Sequence, residues 1–219
     1  MPILGYWKIR GLAANIRLQM AHSGVEYEMV EYEQGDGPEF DRTCWTDVKP
    51  TLGLDFPNLP YFIDGDFKMT ETAAIHKYIA DKWEPALLGL DYTHRAKVNM
   101  CAGVLADLKG AVTMPCYMQG EKEPMIAAMR TKLPAIVAFL GNNKFLTGDN
   151  VTWIDFYFYE LCQLMKFLNP ELFTEFPTLS AFETAVSSLP KVAAYLANPD
   201  CIDHHRIFNN KSAKVNSTL

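Results

Sequence analysis

The sequence has little that would organise it around sulfur, lipid or nucleic acid. Its five cysteines, Cys44, Cys101, Cys116, Cys162 and Cys201, form an odd set scattered over 219 residues. Without a Cys-x-x-Cys pair or a His at metal-ligand spacing, they encode neither a disulfide framework nor a zinc site and read as reduced packing thiols. Apolar runs such as Ala135 to Leu140 fall far short of the ~20 residues that cross a bilayer. No basic-then-apolar leader opens the chain, so a cytoplasmic location is expected. A Lys/Arg-rich run is also missing: 20 basic against 26 acidic residues give a formal charge of −6, which argues against nucleic acid as a partner. What remains is a globular composition, 49% apolar and 12% aromatic, long enough for one large domain or two small ones.

The first 83 residues alternate strand-like and helix-like segments. Pro2 to Ile9 is short, apolar and aromatic; Ala14 to Ser23 has helical spacing and stops at Gly24, the residue type favoured just past a helix end. Tyr27 to Tyr32 returns to β-rich composition, and Glu33 to Asp41 is a polar loop. Asn58 to Ile63 and Asp66 to Thr70 flank Asp64-Gly65, a hairpin-turn dipeptide, and Glu71 to Trp83 carries one apolar helical stripe. From Glu84-Pro85 the pattern changes. Residues 84–91 read as a linker and 92–219 as an all-helical domain, with Pro177 and Pro190 at helix starts and Thr152/Asp155 as a capping box. Pro134 should kink or divide its helix, and the aperiodic tail from Asn198 should drape over the surface. The fold class is α/β plus all-α: an N-terminal thioredoxin-like domain followed by a C-terminal helical bundle domain.

Thioredoxin-type redox chemistry needs a cysteine pair where the first strand meets the first helix. That stretch here reads Gly5-Tyr6-Trp7-Lys8-Ile9-Arg10-Gly11, whose one ionisable hydroxyl is Tyr6. Leu59-Pro60 enters a strand directly after a loop, so a cis bond is plausible, with the Leu59 N–H and C=O free to pair with an extended peptide. The helix opening at Thr70-Glu71-Thr72 offers N–H groups and a dipole to an anion, with Arg42, Trp45 and Lys49 on the approach. These features describe a groove for a small anionic peptide. Taken singly, Tyr6, Trp7 and Trp45 read first as packing residues and Arg42 and Lys49 as solvated charges, while Asp107 fits an exposed acid, Asn58 a turn residue and Tyr117 equally a helix-end packing residue.

Residues 1–200 resemble a cytosolic glutathione transferase, in particular the mu class. The resemblance is carried by Leu4-Gly5-Tyr6-Trp7, Asp41-Arg42, Trp45, Lys49, the run Leu52 to Tyr61, and Gly148-Asp149 before the Thr152/Asp155 box. It implies that Tyr6 donates a hydrogen bond to the glutathione sulfur, and that Trp7, Arg42, Trp45 and Lys49 hold the glycine end. Asn58 and the Leu59 backbone would take the cysteinyl portion, and Glu71 and Thr72 the γ-glutamyl head, with Asp107 reaching it from a second subunit. Tyr117 would sit in the electrophile site above Ile9 and Leu12, and Phe56 would be an aromatic key in a homodimer. Glu71-Thr72 departs from the usual Gln-Ser of the family: Glu71 pairs better with the glutamyl ammonium and repels its carboxylate. The function implied is conjugation of glutathione, a co-substrate, to small hydrophobic electrophiles in detoxification, with no metal or other cofactor. Rival readings are a non-catalytic ligand-binding or structural protein of the same fold, and a glutathione-dependent isomerase or peroxidase.

Overall fold

A computed structural model describes residues 1–118 and 120–216. The N-terminal elements run β1 (Ile3–Trp7), α1 (Ala14–Ser23), β2 (Glu28–Tyr32), α2 (Thr43–Thr46), β3 (Tyr61–Asp64), β4 (Phe67–Thr70) and α3 (Thr72–Trp83). The four strands form one sheet in the order β2-β1-β3-β4. β1 is parallel to β2 and antiparallel to β3, which pairs antiparallel with β4 through the Asp64-Gly65 turn. Gly65 takes φ 61° there, the positive value that a tight two-residue turn demands. α1 ends as its sequence requires, with Gly24 in the left-handed conformation and its N–H on the Ala21 and Met20 carbonyls. The register sets Gly5 opposite Tyr61. A Cβ at Gly5 would stand 2.0 Å from that ring, so glycine is what lets Tyr61 lie across β1.

A short 3-10 turn, Pro85–Leu88, leads into α4 (Tyr92–Met118), α5 (Glu123–Leu140), α6 (Trp153–Leu168), α7 (Leu172–Glu175), α8 (Pro177–Ser187) and α9 (Pro190–Ala197). Pro134 does not divide α5. It lies on the exposed face, where water reaches the carbonyl it leaves unpaired, while Leu133 and Ile136 anchor both sides to the core. The α6 start is a capping box: the buried Asp155 carboxylate accepts the Thr152 N–H at 2.7 Å, the Thr152 hydroxyl at 2.9 Å and the Leu146 N–H at 2.8 Å.

Each half has its own apolar cluster, and α1 joins them. Leu18 of α1 and Ala80 of α3 bury themselves among the helical-half residues, while Ile16 and Met20 face the sheet. Among the described residues, polar groups on the joining face are paired only in part: Asn15 Nδ2 is buried without a partner. Buried His76 of α3 stacks on Trp153 and reaches Gln19 through Nδ1 and Asn15 through Nε2 at 3.0 Å. Burial pushes its pKa down to about 3, so the ring is neutral.

The tail corrects the expectation of a surface drape. Cys201, Asp203, Phe208, Asn209 and Val215 are buried. The Arg10 N–H donates to the Ile207 carbonyl and the Gly11 N–H to the Phe208 carbonyl, at 2.8 and 3.0 Å. Asp203 pairs with buried Arg17 of α1 and accepts the Tyr195 hydroxyl. Burial opposes ionisation of Asp203, yet Arg17 beside it holds its carboxyl below the usual range. A segment without periodicity is thus fixed by individual hydrogen bonds and ion pairs, which leave no repeating signal in the sequence.

Candidate active site

β1 leaves the sheet at Trp7 and carries Tyr6 to the junction of the two halves. There a cavity of about 180 Å³ is lined by Tyr6, Gly11 and Leu12 from the N-terminal half, by Lys109, Thr113 and Tyr117 of α4, by Glu160 and Leu164 of α6, and by Phe208 and Asn209 of the tail. Tyr6 is 5% exposed, and its hydroxyl accepts the Leu12 N–H at 2.9 Å. A phenol that accepts a backbone N–H keeps its own proton to donate. Burial raises the Tyr6 pKa well above the ordinary phenol value, with the Leu12 N–H partly opposing, so Tyr6 is a neutral donor at pH 7.

The backbone beside it is shaped for this contact. Gly11 has φ 44°, and a Cβ there would stand 2.5 Å from the Tyr6 hydroxyl. Ile9, expected on the cavity floor, lies beneath it: the side chain is buried in the N-terminal core, with Cδ1 3.0 Å from that same Cβ position. Across the cavity, the Tyr117 hydroxyl accepts the Asn210 N–H at 2.9 Å and likewise retains its proton. Burial raises its pKa, and that N–H opposes the rise.

The remaining expected residues do not line that cavity. Trp7 and Trp45 both pack edge-on against Tyr32, at 6.4 and 5.2 Å between ring centroids, and Trp45 stacks on Tyr61. Arg42 and Asn58 are exposed and Lys49 is half-buried. Among the described residues, the side chains of Arg42, Lys49, Asn58 and Glu71 have no hydrogen-bond partner, and neither has the backbone of Leu59. The Leu59-Pro60 bond is cis. The Thr70 hydroxyl holds the Phe56 carbonyl at 3.0 Å, tying the Asn58-Leu59 turn to the start of α3. Glu71 sits there at φ 73°, outside the conformations a side chain prefers, while Thr72 opens the helix and is nearly buried. Asp107 is exposed on α4 and does not line the cavity, and Phe56 is 79% exposed.

Arg10, Lys109, Thr113, Glu160, Leu164, Phe208 and Asn209 were not legible as site residues. The one available signal was the four-residue spacing of Lys109, Thr113 and Tyr117, which puts them on one face of α4.

The family model for the glutathione S-transferase N-terminal domain matches residues 2–81, and that for the C-terminal domain matches residues 107–199. A glutathione S-transferase of Dermatophagoides pteronyssinus is 36% identical over 99% of this chain and 98% of its own length. The class-mu 26 kDa isozyme 51 of Fasciola hepatica is 38% identical over 88% of this chain and 87% of its own. Glutathione S-transferase Mu 1 of Bos taurus is 36% identical, covering 90% and 91%. Among solved structures, the glutathione S-transferase Blo t 8 superposes with a TM-score of 0.85 at 28% identity, covering 97% of this chain and 99% of that one.

Proposed function

Because this chain belongs to the glutathione S-transferase family, we propose that it joins the glutathione thiolate to small hydrophobic electrophiles in detoxification, with Tyr6 stabilising the thiolate. In this reading residues 1–83 form the glutathione module and 92–219 supply the electrophile site, with 84–91 between them. The observation that carries it is the Tyr6 hydroxyl, which accepts the Leu12 N–H and keeps its proton for the cavity that Tyr117 also lines.

The unpartnered backbone of Leu59 takes the cysteinyl portion of glutathione as one rung of a strand, with Asn58 beside it. Glu71, Thr72 and the α3 N-terminus meet the γ-glutamyl head; Arg42, Lys49, Trp45 and Trp7 meet the glycine carboxylate. A free thiol of pKa ~8.5 is a few per cent thiolate at pH 7, so full ionisation gains only about 30-fold. Part of that gain is lost, because a less basic thiolate is a weaker nucleophile, with a slope of about 0.4–0.5. Holding the sulfur against an electrophile in a closed cavity supplies the larger effect, several kcal/mol. Tyr6 fixes and stabilises the sulfur anion, and Tyr117 donates to charge developing on an oxygen of the electrophile.

Exposed Phe56 and Asp107 fit a homodimer, Phe56 as the key and Asp107 as a residue lent to the other subunit's glutathione. No helix among the described residues is long and apolar enough to cross a membrane, and a cytoplasmic address fits the family. Conjugation of glutathione to 1-chloro-2,4-dinitrobenzene, measured beside glutathione binding, tests the reading. Turnover with saturable glutathione dependence is expected, whereas binding without turnover would make the protein a carrier.

A further inference from the structure

The wall of the cavity is more polar than a site for purely apolar molecules requires. Lys109, Thr113 and Tyr117 stand one turn apart along one face of α4 and all line it. Lys109 gives one proton to the Gly11 carbonyl at 3.2 Å and lies 5.6 Å from the centre of the Tyr157 ring. The carboxylate in the same wall, Glu160, is occupied: its two oxygens accept the Arg10 Nε and Nη2 protons at 2.9 and 2.7 Å. Arg10 and Glu160 cancel, and among the described residues no carboxylate stands within ion-pair distance of Lys109. The Thr113 hydroxyl oxygen, one turn further, is buried with no hydrogen-bond partner among the described residues. A half-buried cation without a counter-ion and a buried hydroxyl without a partner are costly, and a ligand that supplies an anionic acceptor relieves both. Burial lowers the Lys109 pKa and Glu160 partly restores it, as expected of an ammonium lacking a direct counter-ion.

We propose that this cavity selects electrophiles carrying a single anionic group, a carboxylate above all, which Lys109 and Thr113 bind while the electrophilic carbon faces Tyr6. The assignment rests on the transferase reading above and adds to it the charge of the second substrate. Lys109 acts as a specificity residue, and the chemistry is unchanged. With a 4-chloro-3-nitrobenzoate probe, the thiolate forms the S–C bond at the ring carbon, the C–Cl bond breaks, chloride leaves with the electron pair, and nothing is oxidised or reduced.

The test compares 4-chloro-3-nitrobenzoate with its uncharged carboxamide, as the ratio of kcat/KM, in the wild-type protein, Lys109→Met and Lys109→Arg. Relative to the wild type, we expect the acid-to-amide ratio to fall at least tenfold in Lys109→Met, mostly through KM, and to be largely kept in Lys109→Arg. An unchanged ratio in Lys109→Met overturns the proposal. Binding of the unreactive analogues 4-methyl-3-nitrobenzoate and its carboxamide to the wild type is measured in parallel by calorimetry. Tighter binding of the acid without turnover of any electrophile upholds the anion site and defeats the transferase reading. Equal affinity for the two, with brisk turnover of neutral electrophiles, defeats the anion site and leaves the transferase reading standing.

Discussion

Gly11 and Glu71 carry the two sharpest backbone requirements of the site, and they act on opposite ends of it. At Gly11 a positive φ and a 2.5 Å approach to the Tyr6 hydroxyl coincide, so Gly11→Ala must move Tyr6 or the loop. We expect turnover to fall at least tenfold, with a stability loss of about 1 kcal/mol or more; kinetics beside a thermal melt check both, and normal turnover would show that Tyr6 tolerates displacement. Glu71 holds φ 73° without glycine's freedom, a strain of about 1–3 kcal/mol that its surroundings must offset. In the proposed function its side chain binds glutathione and takes no part in the reaction. Glu71→Gln should therefore shift the glutathione KM while leaving kcat nearly constant, and a large fall in kcat at saturating glutathione would contradict a binding role.

Among the elements, the start of α6 concentrates most hydrogen bonding on one side chain. Asp155 satisfies two backbone donors and a hydroxyl within the core. Asp155→Ala would leave the Leu146 and Thr152 N–H groups buried and unpaired, a cost of about 2–4 kcal/mol. A urea titration should show that loss, and a change under about 0.5 kcal/mol would mean the groups find other partners. Elements of this kind were legible because each has a local chemical cause: the box by its Thr and Asp spacing, α1 by Gly24, the β3-β4 hairpin by Asp64-Gly65. Of the candidate site, local chemistry in the sequence marks the cis Leu59-Pro60 turn, the Tyr6 hydroxyl at the end of β1 and the start of α3 at Glu71-Thr72. What escaped depends on contacts far apart in the chain. Glu160 reads as one acid on an apolar helix until Arg10 is seen against it, and Phe208 and Asn209 lie in a segment without period that backbone bonds to Arg10 and Gly11 hold in place.

For the whole molecule, the joint between the halves holds both the cavity and, apart from it, a buried polar seam. His76 is neutral in the fold, its pKa pushed down to about 3 by burial, against ~6.5 in the unfolded chain. As pH falls below ~6.5 the unfolded chain takes up a proton that the native ring refuses, so this contribution to stability is whole above that value and is lost progressively toward about 3. Between pH 7 and pH 5 the loss from this residue is roughly 2 kcal/mol. Urea midpoints at the two pH values should diverge in the wild type and converge in His76→Gln. Equal slopes in the two proteins would show that His76 is not excluded from protonation.

In the proposed function a neutral Tyr6 phenol holds the glutathione sulfur as an anion, and ultraviolet absorbance of the bound thiolate titrated against pH measures this. The bound-thiol pKa is expected below the free value of ~8.5 in the wild type and to rise toward that value in Tyr6→Phe, with glutathione affinity nearly unchanged. The same bound-thiol pKa in both proteins would contradict it.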